Sequence, residues 1–230
     1  MLVSRSRLGA LAALAVSAAA MSASAQYTTL DFSSQFNLTR NNDFAVFPTG
    51  AQTFSGVPFA MGGGPDVNTL WGWASSTAVT GGPATLTVPV NVFGVTEVYS
   101  LMNTFWGTTT PGLLSVTFNA TNGVTQTFNL TGNSDVRDYL NNVFTNSINN
   151  TTTINIFSSG ATRLDMQRFT LNPAFANETL LSVSVLDGGA NGVQRVFVTG
   201  LTVNVVPAPG APGALAGLAA LGLAAARRRR

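Results

Sequence analysis

Leu114-Ser115-Val116-Thr117-Phe118-Asn119-Ala120-Thr121-Asn122-Gly123-Val124-Thr125-Gln126-Thr127-Phe128-Asn129-Leu130 decides the fold. Leu114, Val116 and Phe118 alternate with Ser115, Thr117 and Asn119. Beyond Asn122-Gly123 the period of two resumes, with Val124, Gln126, Phe128 and Leu130 set against Thr125, Thr127 and Asn129. Such alternation is what a half-buried strand requires, because successive side chains point to opposite faces. Asn-Gly between two runs of this kind is the strongest short hairpin signal, since both residues tolerate positive φ.

The same period recurs elsewhere. Leu181, Val183 and Val185 alternate with Ser182 and Ser184. In the last strand, about Gln194 to Val205, Phe197, Leu201, Val203 and Val205 alternate with Thr202 and Asn204. Further strands are expected over Thr53–Phe59, Ala84–Val88, Val92–Phe105, Thr152–Phe157 and Arg163–Leu171. One helical turn is expected around Asp135–Phe144, where Val136, Leu140, Val143 and Phe144 share a helical spacing. Many short strands, Gly/Asn/Pro turns and no long amphipathic helix predict an all-β antiparallel sandwich or barrel.

Composition removes whole classes of chemistry. The 230 residues contain no cysteine and no histidine. Disulfides, thiolate metal sites and cysteine nucleophiles are excluded, as are the Ser-His pair and the commonest general base. Acid–base work would fall to nine Asp and Glu residues.

The two ends read as addresses. Arg5 and Arg7 precede an apolar run from Leu8 to Ala20, and Ala23-Ser24-Ala25 offers a cleavage site before Gln26. That is the three-part layout of a secretory signal peptide, a helical segment spanning residues 1–25. At the other end Val206-Pro207-Ala208-Pro209-Gly210 leads into an uncharged Ala/Leu/Gly run over Ala211–Ala226, a short apolar helix. The chain then closes on Arg227-Arg228-Arg229-Arg230. A terminal arginine cluster resists crossing and stays cytoplasmic. Without the ends, residues 26–206 keep five arginines against nine acids, a net charge of −4. A lysine-free acidic core lacks the basic footprint that nucleic acid demands.

The tail over 207–230 resembles the PEP-CTERM sorting signal of Gram-negative bacteria, with Ala208 standing where that motif has Glu. The resemblance implies a bacterial surface protein. It would be exported by the secretion machinery, trimmed by signal peptidase and anchored transiently in the inner membrane. An exosortase-type transpeptidase would then pass it to the cell surface or the extracellular space.

The succession of motifs over about residues 50–205 also resembles galactose-binding-like jelly-roll domains. It runs Phe54-Ser55-Gly56-Val57-Pro58-Phe59, the hairpin, Asn133-Ser134-Asp135-Val136-Arg137-Asp138-Tyr139, Arg163-Leu164-Asp165-Met166-Gln167, and an Asn172-Pro173 loop. The likeness implies one jelly-roll domain over 26–206, carbohydrate binding and room for a structural calcium. Asp31, Asp43, Asp66 and Asp187 lie in loop-like sequence. No Asp-x-Asp-x-Asp run supports a metal site, and no cofactor is implied by the residues themselves.

Two constellations are candidate sites. Asp135, Arg137 and Asp138 with Tyr139 form the densest charge cluster. They read either as a clamp for sugar hydroxyls with an aromatic stacking face, or as an arginine tied down by neighbouring acids. Trp71-Gly72-Trp73, with Trp106 as the third tryptophan, reads either as an exposed platform with two indoles on one strand face, or as core. The leading expectation is a non-catalytic surface or matrix protein that binds or organises exopolysaccharide. A coat protein without a small ligand and a glycoside hydrolase using Asp135 and Asp138 are the alternatives.

Overall fold

The computed structural model describes residues 25–41, 44–64, 66–76, 83–189 and 194–205. Residues 1–24 and 206–230, on which the expected signal peptide and sorting tail fall, lie outside the described residues, and so do both expected terminal helices. Among the described residues no helix is long and apolar enough to cross a membrane.

The described chain is an antiparallel all-β sandwich of thirteen strands. In order they are β1 Gln26–Thr29, β2 Leu38–Thr39, β3 Gly50–Phe54, β4 Val57–Met61, β5 Leu70–Ala74, β6 Ala84–Phe93, β7 Val95–Phe105, β8 Leu114–Ala120, β9 Thr125–Leu130, β10 Thr153–Ser159, β11 Thr162–Thr170, β12 Thr179–Asp187 and β13 Arg195–Val205. Seven strands form one sheet in the order β10-β11-β7-β13-β5-β2, with β1 also paired to β13. Four form a second sheet, β6-β12-β8-β9, and β3 and β4 make a separate hairpin.

The hairpin read from the sequence forms as expected. Leu114 faces Leu130, Val116 faces Phe128 and Asn119 faces Thr125, around a tight turn in which Asn122 and Gly123 both have positive φ. Two expected strands are corrected. Thr53–Phe59 is not one strand but the β3–β4 hairpin, reversed at Ser55-Gly56 with φ of 49° and 84°. Val92–Phe105 is cut at Gly94, where φ is 74°, so Val92 and Phe93 belong to β6. The helical turn expected at Asp135–Phe144 is absent. That segment is irregular chain with single bridges from Asp138 to Thr104 and from Leu140 to Thr162. Its apolar positions are not gathered on one face, since Val136 is buried while Phe144 is exposed.

Burial explains the layering. The inner face of the four-stranded sheet packs Leu86, Val116, Phe118, Val183 and Val185 against Val98, Val196, Val198 and Val203 of the large sheet. The opposite face of the large sheet is also covered. Trp71, Tyr99, Leu101, Phe105 and Phe197 pack there beneath Val57, Phe59 and Met61 of the β3–β4 hairpin and the loop bearing Phe44 and Phe47. Arg40 binds that loop into place through the carbonyl oxygens of Ala45, Phe47 and Gly64. Strands β7 and β13 are therefore buried on both faces and read as apolar stretches interrupted by buried polar residues.

The outer face of the four-stranded sheet is the reverse. Its registered rows are Thr85–Leu186–Ser115–Asn129, Thr87–Ser184–Thr117–Thr127 and Pro89–Ser182–Asn119–Thr125. None of these residues is charged. Cross-strand hydrogen bonds tie Thr87 to Ser184 (3.2 Å), Thr117 to Thr127 (2.9 Å) and Asn119 to Ser182 (3.3 Å). Pro89 is tolerated because β6 is an edge strand and its missing N–H costs no ladder bond.

Candidate functional site

The tryptophan platform is not formed. Trp71 is 0% exposed and Trp73 8%. They also lie in different cores, Trp71 with Phe47 and Phe197, Trp73 with Val88 and Val198. The cause is a β-bulge. Leu38 faces Gly72 while Thr39 faces Leu70, so Trp71 is the extra residue and the alternation is broken there. Gly72 has no room for a side chain, since an added Cβ would lie 2.7 Å from the carbonyl oxygen of Val198. The Trp71 indole N–H is satisfied by Pro48 O at 3.1 Å.

The charge cluster is pulled apart. Arg137 does not pair with Asp135 or Asp138. Its guanidinium makes a two-pronged bond to Asp165 of β11, Nε to Oδ2 and Nη2 to Oδ1, both at 2.7 Å. Asp165 is fully buried and also accepts from Asn103 Nδ2 (2.7 Å) and Asn155 Nδ2 (3.2 Å). The tied-down reading of Arg137 is the one the geometry favours, with an acid 28 residues away as partner. Asp135 accepts from the Thr131 backbone N–H and the Asn149 amide. It faces a depression of about 180 Å³ shared with Phe128 and Arg168. Asp138 faces a different hollow, so the two carboxylates expected to act as a hydrolytic pair do not share a pocket. Tyr139 is 4% exposed, and its ring face is covered by Phe44 at 5.1 Å, leaving no surface for a pyranose.

Asp138 leads to a residue that the sequence reading did not single out from the other tryptophans. The hollow beside it measures about 540 Å³ and is lined by Trp106, Asp138, Tyr139, Arg195, Asn41 and Asn142, among others. Trp106 stands at the end of β7 with φ of 68° and is 46% exposed. The Gly107 N–H donates to Phe105 O at 2.8 Å, the i to i+2 bond of a γ-turn with positive φ. That turn is rare and strained, the more so for a bulky residue. Two hydrogen bonds hold it, and a glycine makes room for it. The Trp106 N–H donates to the Asp138 carboxylate, and Thr145 Oγ1 donates to Trp106 O at 2.5 Å. Gly107, with φ of 73°, leaves space that a Cβ would take from the hydroxyls of Thr104 and Thr145. The remaining oxygen of Asp138 accepts from the Leu140 N–H at 2.7 Å. A strand end where two aromatics sit on consecutive positions before a glycine, Phe105-Trp106-Gly107, is the signal that marks this place in the sequence.

Electrostatics complete the hollow. Burial pushes the Asp138 carboxyl above its ordinary value, although the two N–H donors, Arg163 and Arg195 all favour its charged form. The Arg195 guanidinium lies over the Phe105 ring at 4.0 Å, a cation–π contact. Burial also lowers the basicity of Arg195, and Tyr139 and Asp138 oppose that. Behind Asp138, Arg163 is buried and donates to Asp138 O (2.9 Å), Asn141 Oδ1 (2.7 Å) and Leu140 O (3.1 Å).

The loop acids considered for calcium do not assemble a cage among the described residues. Asp31 and Asp66 cap local turns through Ser33 and Asn68, and Asp43 lies outside the described residues. Asp187 is buried with its oxygens on Ser75, Gly189, Gln194 and Val196. No three acidic side chains converge among the described residues. Ala25 precedes β1, which opens at Gln26, while Ala23 and the tail residues Val206, Pro207, Ala208, Pro209 and Arg227–Arg230 lie outside the described residues.

No protein-family model matches the chain, and no curated protein matches it.

Two outcomes are expected. Arg137→Met leaves Asp165 buried without its cation and destabilises the fold by about 3–5 kcal/mol in denaturant unfolding. A loss under about 1 kcal/mol would mean the carboxylate does not depend on that pair. The second concerns pH. The folded-state pKa of Asp138 is raised, so ionising it opposes folding. That penalty is absent below the ordinary value of 3.8 and grows as pH rises through the window above it. Wild type should lose stability relative to Asp138→Asn as pH rises from that value toward neutrality. A gap that moves the other way would show that the two N–H bonds outweigh burial.

Proposed function

We propose that this is an exported, non-catalytic surface or matrix protein that binds or organises exopolysaccharide, with the Trp106 hollow as its saccharide site. The observation that carries the reading is Trp106 itself. A large aromatic side chain is held half-exposed, in a strained backbone conformation, over a hollow lined by amides, a guanidinium and a carboxylate. Strain at a bulky residue costs on the order of 1–3 kcal/mol and persists where surrounding contacts over-determine it, typically at binding and catalytic sites. An exposed indole offers a sugar ring an apolar face, and amide and guanidinium donors fix its hydroxyls. The galactose-binding-like jelly-roll assignment belongs to this proposal and is supported by the two packed antiparallel sheets. Fold alone does not carry the ligand.

Export and sorting rest on the two ends of the sequence. A basic, apolar and Ala-x-Ala leader precedes Gln26, where the first strand opens. A Pro-rich break, an apolar run and four arginines close the chain. The exosortase-type transpeptidase, the transient inner-membrane anchor and the final surface location follow from the PEP-CTERM resemblance.

A coat protein without a small ligand is the second reading, favoured by the burial of Trp71, Trp73 and Tyr139. The uncharged outer face of the four-stranded sheet suits it too. Edge strands β9, with sequence TQTFNL, and β10, with TINIFSS, carry none of the charges that usually block edge pairing.

Glycan-array binding by the purified chain separates the two. A saccharide site predicts binding that falls about tenfold in Trp106→Ala at unchanged thermal stability. A folded monomer that binds nothing would sink the saccharide reading, and one that assembles into ordered polymers without glycan would establish the coat. Fractionation tests the address. Intact cells should release a chain that begins at Gln26 and lacks the arginine cluster. Recovery of the full-length chain from the cytoplasm would overturn export.

A further inference from the structure

A strand at the edge of a sheet offers a row of unpaired N–H and C=O groups to any strand that can reach it, and natural sheets blunt such edges. Among the described residues, the two sheets of the sandwich blunt every edge strand but one. Strand β2 has two residues and β1 four. The β10 ladder is broken by a bulge between Asn155 and Phe157, and β6 carries Pro89. Strand β9 is the exception. Its six residues, TQTFNL, hold no charge and no proline, and its register with β8 runs unbroken from Leu114–Leu130 to Asn119–Thr125. Among the described residues no hydrogen bond reaches the β9 backbone from the side away from β8.

What the free edge fits can be read from β8. Across the hairpin, Thr117, Phe118 and Asn119 face Thr127, Gln126 and Thr125. Strand β9 contains the same triplet, Thr127-Phe128-Asn129. Set antiparallel against the free edge of a second copy, with Thr127 opposite Thr127, it puts Phe128 opposite Gln126 and Asn129 opposite Thr125. The free edge then meets the same three residue types that its other edge already meets, in the same order and on the same faces. The outer-row contacts are already made once within the sheet: the Thr117 and Thr127 hydroxyls lie 2.9 Å apart, and Thr125 Oγ1 donates to Asn119 Oδ1 at 3.2 Å. On the inner face Phe128 is half-buried, with ring contacts to Phe118 at 5.8 Å and Phe169 at 5.3 Å. A depression of about 180 Å³ lies beside it. The second copy's Phe128 would sit diagonal to the first, within the reach of aromatic side chains across a strand pair.

We infer that β9 is a self-association edge: two copies join β9 to β9 about a two-fold axis, and their four-stranded sheets merge into one. The pairing is isologous and closes at two copies, so it gives a dimer and not a fibre. The neutrality of β9 suits this partner in particular. Each domain holds five arginines against nine acids over residues 26–206, and two like-charged domains need an uncharged contact to approach. The inference does not rest on what the Trp106 hollow binds. A dimer doubles that site, and a repeating polymer can then be held at two points.

The test is sedimentation equilibrium of the full chain in density-matched mild detergent, and the chain should be dimeric. Thr127→Lys, at an exposed position, sets two ammonium groups opposite each other and should weaken the dimer about fivefold or more at unchanged thermal stability. Thr127→Glu should do the same, and mixing the Lys and Glu chains should restore a dimer holding one of each. The chain lacks cysteine, so Thr127→Cys supplies a single thiol. With oxidised glutathione it should join two copies through a disulfide, whereas Thr87→Cys, exposed on the same face but on β6, should not. The cysteine arm needs neither charged variant, so a Lys or Glu chain that fails to fold leaves it decisive. A chain monomeric at every concentration would overturn the inference. So would a dimer that Thr127→Lys leaves intact, or Thr87→Cys cross-linking as fast as Thr127→Cys. Assembly beyond two copies would overturn it too, since a two-fold pair closes.

Discussion

The fully buried carboxylate of Asp165 is the constraint on which the rest of the architecture depends. It sits on β11 with no exposure, and a bare carboxylate there would be prohibitive. Three elements must therefore come to it: Asn103 from β7, Asn155 from β10 and Arg137 from the irregular segment after β9. Once Arg137 is fixed, its own carbonyl takes the Thr104 N–H and the Asn103 amide. The next residue, Asp138, is then delivered to the Trp106 N–H. The ion pair is thus a positioning device. Buried pairs of this kind add little net stability over apolar replacements but are costly to break. Here the pair sets where the connection between β9 and β10 lies against the sheet, and so whether the hollow has a wall.

The strands were legible because most of the small sheet keeps one face wet. The hairpin Leu114–Leu130 alternates cleanly since its outer row meets water and its inner row meets the core. Strands β7 and β13 are buried on both faces, and there the alternation fades into runs such as Val196-Phe197-Val198. Length and β-branched content still marked them as strands. Turns failed where a strand-like composition ran across them. Thr53–Phe59 is apolar enough to look continuous, yet Ser55-Gly56 reverses it, because both adopt positive φ and a two-residue connection matches strand twist.

The site was far less legible. The pairing of Trp71 and Trp73 on one face assumed an unbroken period of two, and one bulged residue sends them to opposite cores. Local charge density suggested that Arg137 would answer to its neighbours Asp135 and Asp138. Its real partner is brought by a different strand, and no local pattern announces it. The helical spacing of Val136, Leu140, Val143 and Phe144 was overruled by tertiary hydrogen bonds that hold this stretch irregular. Thr104 N–H binds Arg137 O, and Tyr139 N–H binds Thr104 O. Trp106 carries only a faint mark in the sequence, an aromatic pair before Gly107 at a strand end. What sets it apart is a backbone angle, which belongs to the fold and not to the residue type.

Strain and site are joined in the same contacts. Left alone, a tryptophan with φ of 68° would relax, and its N–H and C=O would turn elsewhere. Asp138 holds the N–H and Thr145 the C=O, and Thr145 itself is fully buried. Asp138 performs this task as a partly desolvated carboxyl, its charged form disfavoured by burial and favoured by the N–H groups it accepts and by Arg163 and Arg195. The guanidinium that borders the hollow therefore helps keep the aromatic wall in its strained place.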